Sequence, residues 1–162
     1  MSLAGKHYLA GIIWCLLLGI AYVVIDRQIK PKVAMASGAS SEISIPRSND
    51  GHFYVAGQIN GQPLTFMIDT GASTVAIGEA TARRFGLPSG RPVAISTAGG
   101  MTKGGEISVQ TLTIGNITLN NVRVVVLPDL RSEALLGQNV LRHLHVTQSS
   151  TKMLIRPTEL GR

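Results

Sequence analysis

Cysteine, aromatic residues and charged residues are all scarce in this chain of 162 residues. The single cysteine, Cys15, excludes an intrachain disulfide and a metal site built from several thiolates. Aromatic residues make up only 4% of the sequence and no basic run is interleaved with them, so the net charge of +6 does not indicate a nucleic-acid-binding surface. The four histidines, at positions 7, 52, 143 and 145, show no ligand spacing, and no metal site is predicted.

One long hydrophobic run is present at the start of the sequence. Tyr8–Ile25 contains eighteen residues without a charge. As a helix it would span about 27 Å, close to the roughly 30 Å of a bilayer's hydrocarbon core. We therefore predict a transmembrane helix at about 8–25, within a membrane anchor at 1–30. A cleaved signal peptide is the alternative, because Ala34-Met35-Ala36 resembles a cleavage site, but the run exceeds the roughly 7–15 apolar residues of a signal peptide.

Composition changes after this run and predicts a linker followed by one compact domain. Residues 31–50, PKVAMASGASSEISIPRSND, are rich in Ser, Ala, Gly and Pro and show no periodicity, which is typical of a flexible linker. We place the domain at 51–157, because strand and turn signals alternate there. This length is enough for one hydrophobic core.

Short strands predominate within the predicted domain. Asn60-Gly61 separates two apolar-rich runs and is the strongest short-range signal for a β-hairpin. Residues 79–85, followed by Gly86, fit a short helix with a glycine at its carboxyl end. The glycine-rich segment AGGMTKGG at 98–105 is predicted to connect two further strands. Turn signals about every ten residues predict an all-β, closed-barrel fold.

Asp69 occupies an unusual position for an acidic residue. It follows the apolar segment Phe66-Met67-Ile68 and precedes a β-branched run at 74–77. A carboxylate between two buried strands loses hydration, which penalises its charged form. Two interpretations are open at this point: a turn residue, with Thr70 and Gly71 completing the turn, or an acid used in catalysis. The sequence has four aspartates, Asp26, Asp50, Asp69 and Asp129.

The residues after Asp69 show how a catalytic role would work. Gly71 lets the backbone turn tightly and approach a neighbouring segment, and Thr70 supplies a hydroxyl for a bond to that neighbour. Two such loops facing each other across a two-fold axis would bring two carboxylates together. Because like charges about 3 Å apart do not both ionise, the pair would share one proton. One carboxylate could then take a proton from water while the other protonates an amide oxygen, which is the chemistry of peptide hydrolysis.

The segment FMIDTGAST at 66–74 resembles the active-site loop of the retropepsin-like aspartic proteases, especially the bacterial members with a membrane anchor. Asp69, Thr70 and Gly71 match the D-T-G signature of that family, and Ala72 matches its retroviral form. The resemblance implies a closed β-barrel of the acid protease type with a short helix. It also implies that Asp69 is the catalytic residue and that the three following residues support the active-site loop.

Two further segments extend the resemblance over about His52–Arg156. The segment ALLGQNVL at 134–141 is similar to the family's second hallmark, which packs beside the catalytic loop. The residues that this similarity implies for loop packing are Leu135, Leu136 and Gly137. The segment at 96–101 falls where the family has its flap, a hairpin that covers the bound substrate. The flap residues that this similarity implies are Ala98, Gly99, Gly100 and Met101.

The domain contains a single D-T-G, so one chain supplies only one of the two carboxylates. Enzymes of the pepsin type carry both in two fused lobes, for which this chain is too short. We therefore expect a symmetric homodimer with Asp69 of each subunit at the two-fold axis. The resemblance implies that the carboxyl-terminal strand at Lys152–Arg156 contributes to the interface. It further implies a polypeptide substrate bound in an extended conformation, and no metal or organic cofactor.

These features together predict a membrane-anchored aspartic endopeptidase that acts as a homodimer. The main alternative is a non-catalytic, membrane-anchored peptide-binding or adaptor module of the same fold. A membrane protein whose domain only scaffolds its partners is a third hypothesis. The intact D-T-G favours the protease, because a module that only binds peptides has no use for a buried acid. Nucleic acid is not expected to be a partner.

The resemblance also implies a location, namely a single-pass protein of the bacterial inner membrane with a periplasmic catalytic domain. The basic residues that flank the hydrophobic run do not decide its orientation, because Lys6 precedes it while Arg27, Lys30 and Lys32 follow it. The expected orientation therefore rests on the resemblance.

Overall fold

The computed structural model describes residues 3–29, 33–34, 42–97 and 99–158. The chain divides into two compact units, Met1–Pro31 and Lys32–Arg162. The described part of the first unit is one helix, and all of the described strands belong to the second unit.

Helix α1, Leu3–Ile29, contains the hydrophobic run. Between residues 11 and 25, where side chains are described, every large apolar side chain from Ile12 to Ile25 is at least 49% exposed. Across the described residues, no helix combines the length and the apolarity needed to cross a membrane. The transmembrane helix predicted at 8–25 is therefore not confirmed and stays a prediction.

The described part of the second unit contains eleven strands and two short helices. The strands are β1 Val33–Ala34, β2 Ile43–Pro46, β3 Tyr54–Ile59, β4 Gln62–Ile68, β5 Val75–Gly78, β6 Arg91–Thr97, β7 Gly100–Ile114, β8 Ile117–Leu127, β9 Ala134–Leu136, β10 Leu144–Gln148 and β11 Lys152–Pro157. The helices are α2 Glu79–Arg84 and α3 Gln138–Leu141.

Six of the strands close into a barrel in the order β3-β4-β9-β5-β8-β7, because β7 pairs back with β3. Strand β6 extends the barrel sheet as the antiparallel partner of β7, and β1 lies parallel to β3. A separate three-stranded sheet has the order β10-β11-β2. The predicted all-β closed barrel with short helical segments is thereby confirmed.

Turn chemistry explains the first hairpin and the end of α2. Asn60 and Gly61 both have positive φ, 49° and 79°, as a two-residue turn between twisted strands requires. This turn joins β3 to β4 in antiparallel register. Gly86, with φ 64°, follows α2 and ends it in the left-handed conformation. The predicted hairpin and the predicted short helix are both confirmed.

The strand that leads to Asp69 has one face in the core. Leu64, Phe66 and Ile68 are buried, whereas Thr65 and Met67 between them are half-buried. The strand that leads away, β5, is buried at all four positions because it lies between β9 and β8. Two buried strands therefore fix both ends of the loop that carries Asp69.

The predicted linker at 31–50 is wrong over its second half, because Ile43–Pro46 forms β2. Ile43 and Ile45 are buried in the core, whereas Ser44 and Pro46, which alternate with them, are exposed. This alternation is a strand signal that the Ser- and Pro-rich composition of the segment concealed. The folded domain thus begins before the predicted boundary at residue 51.

Most of the glycine-rich segment that was expected to connect two strands belongs to a strand itself. Strand β7 begins at Gly100, and only two residues separate it from the end of β6. Gly104 and Gly105 lie within β7, where a Cβ on Gly105 would collide with the Ser89 carbonyl. These two glycines therefore serve close backbone packing.

Candidate active site

Asp69 directly follows β4, at the point where this strand leaves the barrel sheet. Its backbone N–H donates to the Leu136 carbonyl oxygen at 3.1 Å, which continues the parallel pairing of β4 with β9. Its side chain is half-buried. The barrel backbone therefore fixes Asp69 at the junction of strand and loop, partly withdrawn from solvent.

The loop closes on Asp69 itself. The Gly71 N–H donates to the Asp69 carboxylate Oδ1 at 2.9 Å, and the Ala72 N–H donates to the Asp69 carbonyl oxygen at 3.2 Å. A charge-assisted bond of this kind orients the carboxylate. A Cβ on Gly71 would lie 3.2 Å from Oδ1, so a larger residue there would crowd the carboxylate. Thr70 and Gly71 are exposed, and Ala72 is half-buried.

The start of α3 is tied to this loop by three hydrogen bonds. The Gln138 N–H donates to the Ala72 carbonyl at 2.8 Å, and the Asn139 N–H donates to the Ser73 carbonyl at 3.1 Å. The Gln138 side-chain Nε2 donates to the Thr70 carbonyl at 3.0 Å. The first N–H groups of a helix have no partner within the helix, and here the loop carbonyls take that place. The Asp69 loop and α3 therefore form one hydrogen-bonded unit.

The Asn139 side chain bridges two strands beneath the loop. Its Oδ1 accepts from the Val75 N–H at 2.8 Å, and its Nδ2 donates to the Arg123 carbonyl at 2.8 Å. Val75 begins β5, and Arg123 lies in β8. One amide side chain thus supplies both the acceptor and the donor that join the exit of the loop to the barrel wall.

Gly137 lets this assembly pack closely. Its backbone is extended, with φ −96° and ψ 179°, so the position does not need glycine for its conformation. A Cβ at this position would lie 2.5 Å from the carbonyl carbon and oxygen of Thr74. The absence of a side chain is therefore what permits the contact between this segment and the loop.

The two leucines before Gly137 belong to β9, which lies between β4 and β5. Ile68 pairs with Leu136, and Ala76 pairs with Leu135. Leu136 is buried, whereas Leu135 is half-buried. These two residues and Gly137 therefore lie beside the Asp69 loop.

The tip of the hairpin formed by β6 and β7 lies at residues 97–101 and is exposed where it is described. The Thr97 hydroxyl donates to the Gly100 carbonyl at 2.8 Å and accepts from the Gly99 N–H at 3.2 Å. Met101 is 72% exposed, an unusually open position for a large apolar side chain of this unit. The remaining predicted flap residue, Ala98, lies outside the described residues. Among the described residues, no hydrogen bond joins this tip to the Asp69 loop.

The other end of that hairpin carries an ionic cluster. Glu106 in β7 pairs with Arg91 in β6 at 2.7 Å, and its second oxygen lies 3.7 Å from Nε of Arg123 in β8. The hydrogen bond from Arg91 lowers the pKa of the Glu106 carboxyl, and the charge of Arg123 acts in the same direction. The Arg123 carbonyl also accepts from Asn139. Glu106 therefore connects the base of the hairpin to the strand that supports the loop.

The structure brings the predicted loop residues and the predicted packing residues into one site. Gln138 and Asn139 lie within the second hallmark, but the sequence by itself indicates no role for either of them. The signal that could have indicated a role is their position, since two polar residues directly follow an apolar pair and a glycine. Within the described part of the chain, no group of three or more His, Cys, Asp or Glu side chains could hold a metal ion.

The closed barrel, the D-T-G loop and the glycine-bearing segment packed against it define the retropepsin-like class of aspartic proteases. The family model described as "gag-polyprotein putative aspartyl protease" matches residues 55–143, and the chain belongs to this family. The matched range includes the Asp69 loop, the hairpin formed by β6 and β7, and α3.

A solved structure agrees with this assignment. The crystal structure of a retropepsin-like aspartic protease from Rickettsia conorii is similar to this chain with a TM-score of 0.65 and 29% sequence identity. The similarity covers 72% of this chain and 90% of that chain. Most of the Rickettsia chain therefore has a counterpart in the fold described here.

Curated relatives are longer than this chain. An uncharacterized protein from the cobV 5' region of Sinorhizobium sp. is 27% identical over 154 residues, which cover 93% of this chain and 60% of that protein. An uncharacterized protein of Rickettsia prowazekii (strain Madrid E) is 32% identical over 117 residues, which cover 70% of this chain and 50% of that protein. The chain thus spans between half and three fifths of the length of these relatives.

Proposed function

We propose that this chain is an aspartic endopeptidase in which two copies each contribute one Asp69. The observation that carries this proposal is the geometry of Asp69: a half-buried carboxylate at the end of a core strand, oriented by the Gly71 N–H. A residue that only formed a turn would not need the loop to be tied to both β9 and α3. These constraints suit an acid whose position has to be reproducible.

The proposed reaction uses a water molecule and no covalent intermediate. One Asp69 carboxylate takes a proton from the water, whose oxygen attacks the carbonyl carbon of the scissile peptide bond. The other Asp69 carboxyl donates its proton to the carbonyl oxygen. The tetrahedral intermediate then collapses: one of its two hydroxyl groups returns a proton to the pair, the carbon–nitrogen bond breaks, and the amine leaves with a proton from the pair. The two residues can hold one shared proton because like charges at such close range do not both ionise.

The homodimer follows from the number of acids in the site. The described loop provides one catalytic carboxylate, and a symmetric pair of subunits provides the second. The hairpin formed by β6 and β7 would cover an extended polypeptide lying across both loops, and it would open to admit the peptide. The exposed tip of this hairpin supports that role, since it is free of hydrogen bonds to the loop among the described residues.

The proposal includes an uncleaved membrane anchor at Tyr8–Ile25 and a catalytic domain in the bacterial periplasm. Its support is the run of eighteen uncharged residues and the resemblance to anchored bacterial proteases. Confinement to a membrane would raise the effective concentration of subunits and favour their pairing. A reporter that is active only in the cytoplasm, fused once before α1 and once after it, tests this part. Activity of the fusion after α1 would refute the periplasmic location.

Cleavage of a mixed peptide library at acidic to neutral pH tests the activity. We expect the unmodified chain to cleave peptides, and Asp69→Asn to reduce cleavage to the background of the assay while the circular dichroism stays unchanged. Asp129→Asn is the matched control, because Asp129 is exposed and distant in sequence from the loop. Equal activity of the Asp69→Asn and Asp129→Asn proteins would refute the proposed mechanism. Specific peptide binding without any cleavage would support the adaptor alternative.

A further inference from the structure

The three-stranded sheet formed by β2, β10 and β11 lies outside the part of the chain that the family model matches. The match covers residues 55–143, whereas β2 ends at Pro46 and β10 begins at Leu144. Strand β11 lies in the middle of this sheet, with β10 on one side and β2 on the other. The family match therefore assigns no task to the side chains of this sheet.

This sheet has one buried face and one exposed face. Ile43, Met153 and Ile155 are at most 1% exposed and pack in the hydrophobic core. Because successive side chains of a strand point to opposite faces, the residues next to these three lie on the other face. On that face Leu154 is half-buried and Arg156 is exposed. One side of the sheet is therefore open to solvent.

A hollow of about 230 Å³ lies on the exposed face of the sheet. The residues that line it are Glu42, His145, Thr147, Leu154 and Arg156. The antiparallel register places His145 opposite Arg156, and Thr147 opposite Leu154. The Cβ atoms of opposite residues on one face are about 4.5–5.5 Å apart. The guanidinium, the imidazole and the hydroxyl group therefore surround the same small space.

Arg156 supplies the positive charge of this hollow. Within the described part of the chain, no hydrogen bond or ion pair joins its guanidinium group to another residue. Arg47, which follows β2, is a contrast, because its guanidinium donates to the carbonyls of Gly51, Ser149 and Ser150 at 2.7–3.2 Å. The five N–H groups of the Arg156 side chain are therefore available to a ligand.

His145 and Thr147 add two further donors to the hollow. Among the described residues, neither side chain has a hydrogen-bond partner. A neutral imidazole donates through one ring nitrogen, and a hydroxyl group donates through its O–H. A guanidinium group binds two oxygens of a carboxylate or a phosphate side by side. A carboxylate has no third oxygen for the other two donors, whereas a phosphate group has one.

We propose that this hollow binds a phosphate group, with Arg156 as the bidentate donor and His145 and Thr147 as additional donors. Continuing the pairing of β11 with β2 by one residue places Glu42 beside Arg156, on the side away from His145. Because like charges repel, the phosphate is expected on the β10 side of the hollow. The volume is below the roughly 300–1,000 Å³ of sites for drug-sized ligands, which suits a free phosphate or a small headgroup.

Two samples distinguish a soluble phosphate from the phosphate of a lipid headgroup. In the first, the full-length chain is held in a maltoside detergent, which carries no phosphate, and inorganic phosphate is added at constant ionic strength against chloride. In the second, bilayer discs of phosphatidylglycerol replace the detergent. Nuclear magnetic resonance follows the backbone amides of His145, Thr147 and Arg156 in both samples.

We expect inorganic phosphate to shift these three amides along a saturable curve. A similar shift in the discs, absent from the Arg156→Gln protein, would identify the lipid headgroup as a source of the phosphate. A shift with inorganic phosphate alone would identify a soluble ligand. If neither inorganic phosphate nor the discs shifted these amides, the proposal would be overturned.

Substitution of two arginines separates a built site from general attraction to positive charge. Arg156→Gln removes the charge and the bidentate fork, and we expect it to raise the dissociation constant for phosphate by about tenfold or more. Arg131→Gln is the matched control, because Arg131 is exposed, has no partner among the described residues and does not line the hollow. It should leave the constant unchanged. Equal weakening by the two substitutions would overturn the proposal.

Thr147→Val tests the hydroxyl group while its size is kept. We expect a smaller rise of the dissociation constant than for Arg156→Gln, because the lost donor is neutral. If circular dichroism shows that Arg156→Gln does not fold, this variant decides, and an unchanged constant would contradict the proposed geometry. None of these measurements uses a peptide substrate, so the phosphate site and the proposed protease activity are tested separately.

Discussion

The Asp69 loop and the tip of the β6–β7 hairpin are both short turns with glycine, but they are held in opposite ways. The loop bonds to β9 at its start and to α3 along residues 70–73. Apart from the pairing of β6 with β7, the described hydrogen bonds of the hairpin tip run between Thr97 and its neighbours, Gly99 and Gly100. A carboxylate that reacts has to be fixed, whereas a cover over a peptide site has to move. The difference in bonding matches the two tasks that we propose for these turns.

The two regions also need glycine for different reasons. Gly137 beside the loop is needed because another backbone segment occupies the space of its side chain. Gly99 at the hairpin tip has open space, since the nearest atom to a Cβ would be the Thr97 hydroxyl at 3.7 Å. The same residue type therefore marks close packing in one region and an unconstrained turn in the other.

Alanine at these two glycines should give the largest contrast. We expect Gly137→Ala to lower the free energy of unfolding by about 1–3 kcal/mol or more, because its Cβ would overlap the Thr74 backbone. Gly99→Ala is the matched control and should change that free energy by less than about 0.5 kcal/mol. Urea unfolding of both proteins measures the contrast. If Gly137→Ala lowered the free energy of unfolding as little as Gly99→Ala is expected to, the loop would tolerate a side chain at position 137.

Removal of one polar side chain from each region should give a smaller contrast. Asn139→Ala leaves the N–H of the fully buried Val75 without its acceptor, and we expect a loss of about 1–3 kcal/mol, at or below that of the Gly137 variant. Thr97→Val removes two bonds at an exposed tip and should cost less than about 0.5 kcal/mol. Faster amide exchange at Val75 in the Asn139 variant would confirm the cause. Unchanged exchange there would contradict it.

The ionic cluster at Glu106 should give the smallest effect, and its pH dependence is the diagnostic feature. The pKa of Glu106 is lowered in the folded chain, chiefly by the Arg91 hydrogen bond. A carboxyl of this kind stabilises the fold above its unfolded pKa, about 4.3, and the contribution is lost as the pH falls through the lower folded pKa. We expect Glu106→Gln to lower the Tm slightly at pH 7 and to have no effect in strong acid.

Glu79→Gln is the control for this measurement. Glu79 pairs with Arg83 on the surface of α2, and its side chain is 55% exposed, against 24% for Glu106. Water screens such an exposed helix pair strongly, so its removal should change the Tm less than removal of the Glu106 cluster. A Tm difference for Glu106→Gln that stays constant from pH 7 into strong acid would rule out the proposed contribution.

Local signals predicted those parts of the fold that depend on neighbouring residues. Asn60-Gly61 specified a hairpin because both residues accept the positive φ that the turn needs. Composition gave a wrong prediction where a tertiary contact determines the structure. Ile43 and Ile45 are buried, although their Ser- and Pro-rich surroundings suggested a linker. The burial of these two residues depends on β11, more than a hundred residues later in the chain.

Long-range contacts likewise explain what was missed at the site. The side-chain hydrogen bonds of Asn139 join it to Val75 and Arg123. Both partners are distant in sequence, so no local pattern predicts them. The same holds for the strand order of the three-stranded sheet, because β2 and β10 are distant from each other in the sequence. Only the structure showed that β11 lies between β10 and β2.

The sequence by itself determined that an acid followed by threonine and glycine ends a core strand, and that a single such motif occurs in the chain. Apolar alternation and turn chemistry are local properties, so short stretches of sequence are enough to recognise them. The tertiary structure alone decided that α3 and β9 hold this loop and that Gly137 must lack a side chain. Each of these depends on backbone groups that are far apart in the chain and become neighbours only when the barrel closes.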